Sequence, residues 1–344
     1  MKPFAVFLLS LVLIGCSPRA EIITRHHQIL AFGTIIEVTI RHHDNQLIDQ
    51  ALQRLESDFL TMHRIWHPWE PGTMTRTNQL LQSGEWFTAA TSVLPLIKRT
   101  RELAILSENF FNPAIGKLIS AWGFHRNDAS QPFIPDMKLI NALRADIPTM
   151  QDVEIEGISM RGLNPNIQVD LGGIAKGYAI DQATNMLRTM GITHAIINAG
   201  GDLKVIGQHD QRPWKIGIQH PRKPLVLASI EAVSDESIFT SGDYQRFYMQ
   251  QEKRRHHIID PRTGEPVSHT MAVTVIHQDA TVADAAATAL LAAGAAHASH
   301  VASAMGIRHF LLMTESGKLV MSRSMQQRLQ LDDSVRHNTQ ILEL

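Results

Sequence analysis

Cysteine is almost absent: the 344-residue chain has one, Cys16, so no disulfide can form within it. The fold must therefore rest on a hydrophobic core, for which a chain of this length is ample. Charge of neither sign dominates. Thirty-two Lys and Arg stand against 33 Asp and Glu, a formal net charge of −1, and the basic footprint that nucleic acid or an anionic lipid surface requires is missing. Aromatic residues are scarce, at 6%. The one long apolar run, Phe4 to Ile14, is too short for an ordinary transmembrane helix and has the length of a signal-peptide core. Histidine is plentiful at 18, with doublets at His26-His27, His42-His43 and His256-His257, yet no HExxH or Cys/His ligand spacing accompanies it. The histidines therefore read as surface or hydrogen-bonded residues.

The apolar run ends in Leu13-Ile14-Gly15-Cys16, which looks like a bacterial lipobox. The expected organisation is a signal peptide at 1–15, a lipidated tether at 16–30 and one large domain at 31–344. An ordinary signal peptide with a chance cysteine is the alternative, but the only cysteine falls where the pattern requires it. Several acyl chains on Cys16 would hold the protein firmly on a membrane of the cell envelope, facing the periplasm. The inner membrane is the first expectation. Ser17 stands where an Asp often marks inner-membrane retention, which leaves the outer membrane open.

Hydrophobic periodicity predicts a mixture of strands and helices without a repeat. Thr34–Ile40 alternates as a strand, Asp49–Met62 and Ser92–Leu106 carry apolar residues at helical spacing, and Trp66–Gly72 reads as a loop. Asn127–Thr149 reads as a connector around a short helix. Ala195–Asn198, Trp214–Gln219 and Ser229–Ala232 are expected strands. The order suggests an α+β unit of mixed sheets with flanking helices, without strict βαβ alternation.

The chemistry concentrates in glycine-punctuated segments. In Val169–Asp181, VDLGGIAKGYAID, an extended Ile167-Gln168-Val169 leads to Asp170, Gly172 and Gly173 let the backbone approach a ligand, and a helix opens around Ala175. The helix N-terminus and Lys176 favour an anion, and Asp170 can accept a hydrogen bond from a sugar or a ring. These residues fit a phosphate and ribose cradle, or equally a glycine turn with Asp170 as a cap. In the Ala-rich Ala280–Ala295, Asp284 and Thr288 are four residues apart and project from one helical face. Their oxygens are hard ligands suited to Mg²⁺; the alternative is an acid near a helix start and a small packing residue. Ser237–Tyr248 offers Thr240, Ser241, Gly242 and Asp243, whose hydroxyls and amides could seat a diphosphate. His257 is the first candidate for a proton acceptor and Asp243 the second, unless His257 is a strand residue capped by Asp260.

In order and spacing these segments resemble the ApbE family of FAD:protein FMN transferases, as do Asn198–Gly207 (NAGGDLKVIG), Phe32-Gly33-Thr34 and Ala121–Phe124 (AWGF). The resemblance implies cleavage of FAD and attachment of FMN to a Thr or Ser hydroxyl of another protein, with AMP leaving. It implies Mg²⁺ held by Gly173, Asp284 and Thr288. Contacts to FAD are implied for Phe32, Phe110, Phe111, Asn112, Asp170, Lys176, Thr240, Ser241, Gly242, His257 and Ile258, with Trp66 as the aromatic that stacks on the flavin. The Asn198–Gly207 segment is expected to shape the sheet behind the flavin. The family's acceptors are flavin-carrying subunits of membrane redox complexes, such as the sodium-pumping quinone reductase and Rnf complexes. The likeness weakens upstream: Phe32-Gly33-Thr34 replaces the family's common Met-Gly-Thr, and Asn112, Ala114 and Lys117 stand where relatives usually have the Asp of Phe-Asp, a Thr two residues on and a Pro before the leucine, the lost charge at Asn112 bearing on the adenine-side contacts. Two rival classes share the site, a Mg²⁺-dependent FAD pyrophosphatase and a flavin-binding lipoprotein without chemistry.

Overall fold

A computed structural model describes residues 21–126, 133–209, 212–333 and 335–344. The expected signal peptide, Cys16 and the first residues of the tether lie outside the described residues. The remainder of the tether is corrected. Ile23–Ala31 is a strand paired with Thr34–His42 from Ile23↔His42 to Ala31↔Thr34, so the folded domain begins before residue 31. Alternation explains it: Ile29 and Ala31 are buried while Gln28 and Leu30, each one position before them, are exposed. The same alternation sends the doublet apart, His26 to Thr39 Oγ1 at 2.8 Å and His27 to Glu56 at 3.2 Å. Phe32 and Gly33 close the hairpin with φ of 53° and 71°, the positive values that a two-residue turn between twisted strands requires.

This hairpin is one edge of a nine-stranded sheet. The order continues through Ala195–Ala199, Asp202–Ile206, Ser237–Gly242, Thr270–His277, His309–Thr314, Leu319–Ser322 and Thr339–Leu342. Every neighbouring pair is antiparallel except the last. The α+β class expected from the sequence is therefore the observed one, with eight α-helices among the described residues.

Side-chain alternation divides the protein into three layers. Phe239 points from its strand into a core shared with the helices Asn45–Trp66, Ala175–Thr189 and Ala280–Ala304. Its neighbour Ile238 points the other way, into a core closed by a small sheet of Trp214–Gln219, Val226–Ala232 and Gln330–Leu331. The first helix starts at Asn45, ahead of the expected Asp49, because Asp44 caps it by accepting from the Leu47 amide at 3.1 Å. It also runs on to Trp66, which the sequence placed in a loop. Ile167–Val169 is extended but forms no regular strand: Gln168 makes a single bridge to Ile115, and Val169 is clamped by the Asn78 side chain, which donates to its carbonyl at 3.0 Å and accepts from its amide at 2.8 Å.

Ala280–Ala304 is buried over most of its length and broken at Gly294. Small residues permit close contact with Ala175–Thr189. A Cβ on Gly177 would lie 2.3 Å from the Ala280 carbonyl oxygen, so only glycine allows this approach. Asp181 ties the two helices together. It accepts from Lys204 Nζ at 2.7 Å, from the Ala280 and Thr281 amides at 3.1 and 2.9 Å, and from Thr281 Oγ1 at 2.7 Å. Burial alone would push this carboxyl up, but Lys204 and the Thr281 donors outweigh it and hold the pKa below the ordinary 3.8. Asp181→Ala leaves Lys204 buried without its carboxylate, with only the Gln278 carbonyl at 2.6 Å still accepting from it, and is expected to cost roughly 3–5 kcal/mol of stability. A depressed carboxyl stabilises the fold above its unfolded pKa, so urea midpoints of wild type and variant separate near neutral pH and converge as pH falls below about 4.

Candidate active site

At one end of the main sheet the hairpin turn, the Phe110–Pro113 loop, the starts of the two packed helices and the ends of several strands enclose a cleft of about 410 Å³. Thirteen of the residues singled out from the sequence line it: Phe32, Phe110, Phe111, Asn112, Asp170, Gly173, Lys176, Thr240, Ser241, His257, Ile258, Asp284 and Thr288. Segments separated by up to 256 positions thus meet, and the cradle reading of Val169–Asp181 gains its facing wall.

Asp170 enters the cleft from a backbone anchored to the Pro113 carbonyl at 2.8 Å. One of its oxygens accepts from the Gly172 amide at 2.8 Å, the other from His125 Nε2 at 2.7 Å. Burial favours the neutral acid, yet these donors and the nearby Arg246 charge keep the carboxyl below its usual range. Lys176, in the first turn of its helix, pairs with Asp202, whose other oxygen accepts from the Thr240 amide at 2.8 Å. Burial lowers the Lys176 pKa, but the Asp202 and Asp284 carboxylates raise it more.

Asp284 is 4% exposed and accepts from the Gly177 amide at 2.9 Å. Burial, with Asp202 adding to it against the pull of Lys176, pushes its pKa up to about 7. One helical turn on, Thr288 Oγ1 lies 3.2 Å from Ser241 Oγ, and a Cβ on Gly173 would sit 3.1 Å from that same Thr288 oxygen. Asp284, Thr288 and Gly173 are therefore neighbours, although 111 or more positions separate the glycine from the other two.

His257 follows a small hairpin, Phe247–Gln250 with Lys253–His256, and is held at its root. Its amide donates to the Arg246 carbonyl at 3.1 Å, and its Nδ1 lies 3.3 Å from the same oxygen. A carbonyl only accepts, so Nδ1 carries the proton and Nε2 keeps a free lone pair. Burial first, then the neighbouring His256 and Arg246, pushes the His257 pKa down to about 3. The imidazole is neutral at every working pH. Asp260 does not cap it; that carboxylate accepts from Arg262 instead, at 3.0 and 2.9 Å.

Three expectations fail. Trp66 does not reach the cleft: it is 6% exposed, donates through Nε1 to the Ser92 carbonyl at 3.0 Å and lies behind Phe32, rings 6.2 Å apart at 23°. Phe32 lines the cleft in its place. Asp243, the second candidate base, is tied by both oxygens to Arg222 at 2.8 and 2.5 Å and does not line the cleft. Gly242 does not line it either, because the Tyr244 ring covers it, 2.3 Å from where a Cβ would stand. Asn112 has a structural use for its amide: Nδ2 donates to the Pro148 carbonyl at 2.8 Å while Oδ1 accepts from the Ala114 amide at 3.1 Å. A carboxylate in its place has no proton to donate to Pro148.

The profile of the ApbE family matches residues 32–311, a span that contains every segment of the cleft. The chain belongs to the ApbE family. Among relatives, an FAD:protein FMN transferase of Rhodobacter capsulatus is 36% identical over 299 residues, 87% of this chain. The match spans 57% of that protein's length. An FAD:protein FMN transferase of Vibrio cholerae is 30% identical over 329 residues, 92% of this chain and 96% of that one. Among solved structures, the ApbE protein of Thermotoga maritima superposes with a TM-score of 0.80 at 28% identity, covering 89% of this chain and 99% of the other. The flavin transferase ApbE of Vibrio cholerae does so with a TM-score of 0.76, also at 28% identity, covering 90% and 100%.

Two charged residues of this ApbE chain's cleft were not singled out from sequence. Asp202 was read only as part of a strand motif, yet it is 2% exposed and pairs with Lys176. Its signal was a carboxylate placed directly after Gly200-Gly201. Arg246 lines the cleft while its guanidinium donates to the Phe124 carbonyl. Nothing in its local sequence distinguishes it from a surface arginine.

Proposed function

We propose that this chain is a Mg²⁺-dependent FAD:protein FMN transferase. The observation that carries the reading is the convergence, in one cleft, of the Asp170–Lys176 turn, the Asp284–Thr288 pair and a neutral His257 whose Nε2 is free. The names of the relatives support it. In the proposed reaction a Thr or Ser hydroxyl of an acceptor protein attacks the FMN phosphorus of FAD. The new P–O bond forms in line with the breaking bond to AMP, and the hydroxyl proton passes to His257 Nε2. Lys176 and the helix start behind it favour the anionic diphosphate, and Ser241 and Thr240 offer it hydroxyls.

The donor set fits magnesium. Asp284, Thr288 and the Gly173 carbonyl would supply hard oxygens, and no group of three or more His, Cys, Asp and Glu side chains suited to another metal occurs among the described residues. When bound, the ion would neutralise diphosphate charge. Because Asp284 is pushed up to about 7 in the metal-free protein, binding has to displace its proton below that pH. Calorimetric titration with Mg²⁺ is expected to show affinity falling about tenfold per pH unit below 7 and levelling above it. A pH-independent affinity between 5 and 8 would remove Asp284 from the ligand set.

Hydrolysis of FAD would use the same groups with water as nucleophile, and no observation favours it over transfer. Labelling of an acceptor distinguishes the two. The acceptors proposed by resemblance are flavin-carrying subunits of sodium-pumping quinone reductase or Rnf complexes. Lipid attachment at Cys16 and a periplasmic location are likewise proposals that rest on the lipobox-like Leu13–Cys16. No helix among the described residues is long and apolar enough to cross a membrane.

A further inference from the structure

We propose that His125 is a positioning residue for FAD, acting through the Asp170 carboxylate, an inference that rests on the transferase reading. His125 does not line the cleft; Asp170 does. Both side chains are buried, at 4% and 9% exposure, and Nε2 meets the carboxylate at 2.7 Å. The Trp69 ring stacks on the imidazole, centroids 4.5 Å apart at 20°, and is flanked in turn by the Arg246 guanidinium at 5.6 Å and the His67 ring at 4.5 Å. The imidazole is thus held flat with one nitrogen committed to Asp170.

His125 Nδ1 is buried and has no hydrogen-bond partner among the described residues. His256 differs in satisfying both nitrogens, with Nε2 to the Val267 carbonyl at 2.5 Å and Nδ1 accepting from the Ile258 amide at 3.3 Å. At His125 the hydrogen-bonding geometry thus serves the Nε2 contact to Asp170. With His125 on one oxygen and the Gly172 amide on the other, the carboxylate plane cannot turn, and each oxygen keeps acceptor capacity for the cleft. A fixed carboxylate that only accepts selects a ligand N–H or O–H, and FAD carries both, in its flavin ring and its ribityl chain.

The test measures FAD affinity of the purified chain by quenching of flavin fluorescence. Gln places its amide nitrogen near the position of histidine Nε2, whereas Asn matches Nδ1 and falls short of Asp170. His125→Asn is expected to weaken FAD binding about tenfold, the effect typical of outer partners that orient a ligand group, and His125→Gln to recover most of it. In an Asp170→Asn background His125→Asn should add little, because the residue acts through the carboxylate. Equal losses for the Gln and Asn variants, or an undiminished loss in the Asp170→Asn background, would overturn the proposal and leave the transferase reading standing. A wild-type chain that binds no FAD would overturn both.

Discussion

Asp284→Ala is expected to lower Mg²⁺-dependent FMN transfer by on the order of 1,000-fold, with the protein still folded. The site loses its one carboxylate beside Thr288, and hydroxyl and carbonyl oxygens alone bind Mg²⁺ weakly. Stability should not follow activity. The Asp284 pKa is raised to about 7, so the ionised carboxylate opposes folding: stability is fullest below the unfolded value and is lost as pH rises through 7. Alanine removes that opposition, is the best helix former and sits in a helix already rich in it. The amide of Gly177 loses its acceptor, which offsets part of the gain. At pH 8 the variant should therefore melt at or above the wild-type temperature while being nearly inactive. An active variant, or an inactive one that has unfolded, would each contradict this. The combination expected here is that of a functional residue held at the fold's expense.

The second large effect belongs to His257. His257→Ala should reduce turnover by about 100- to 10,000-fold, the range in which a positioned general base acts, while the Kd for FAD changes by no more than a few fold. The held tautomer, Nδ1–H to the Arg246 carbonyl, is what leaves Nε2 open to the acceptor hydroxyl. With its pKa pushed down to about 3, His257 stays unprotonated over the whole neutral range, so no acid limb from this residue should appear in the pH–rate profile of the free enzyme between 5 and 8. A variant that loses FAD affinity and keeps its turnover at saturation would make His257 a binding residue. Asp243 offers no substitute as base, because Arg222 occupies both of its oxygens.

Local pattern made the fold class and most of the cleft legible before the structure was known. Alternation in Thr34–Ile40, helical spacing in Asp49–Met62 and the alanine run at 280–295 each specify an element through neighbours a few positions apart. The i,i+4 placement of Asp284 and Thr288 is likewise a property of one helix. What sequence left hidden depends on partners distant in the chain. Asp243 resembles a free base until Arg222 arrives 21 positions away, and Trp66 resembles a stacking surface until Phe32 covers it. Asp202 gains its meaning from Lys176, whereas strand Ile23–Ala31 carries a local alternation and lies only a two-residue turn from its partner Thr34–His42. Asn112 illustrates the converse: a departure from the family pattern that acquires a reason once the Pro148 carbonyl is seen to need a donor.

The most direct test of the account is intact mass spectrometry after incubation of the chain with FAD, Mg²⁺ and the flavin-carrying subunit of a sodium-pumping quinone reductase or Rnf complex. The account predicts an acceptor heavier by one FMN, one AMP released per acceptor labelled, and neither when Mg²⁺ is chelated. FMN and AMP set free in equal amounts with the acceptor mass unchanged would contradict it, and would assign the cleft to FAD hydrolysis.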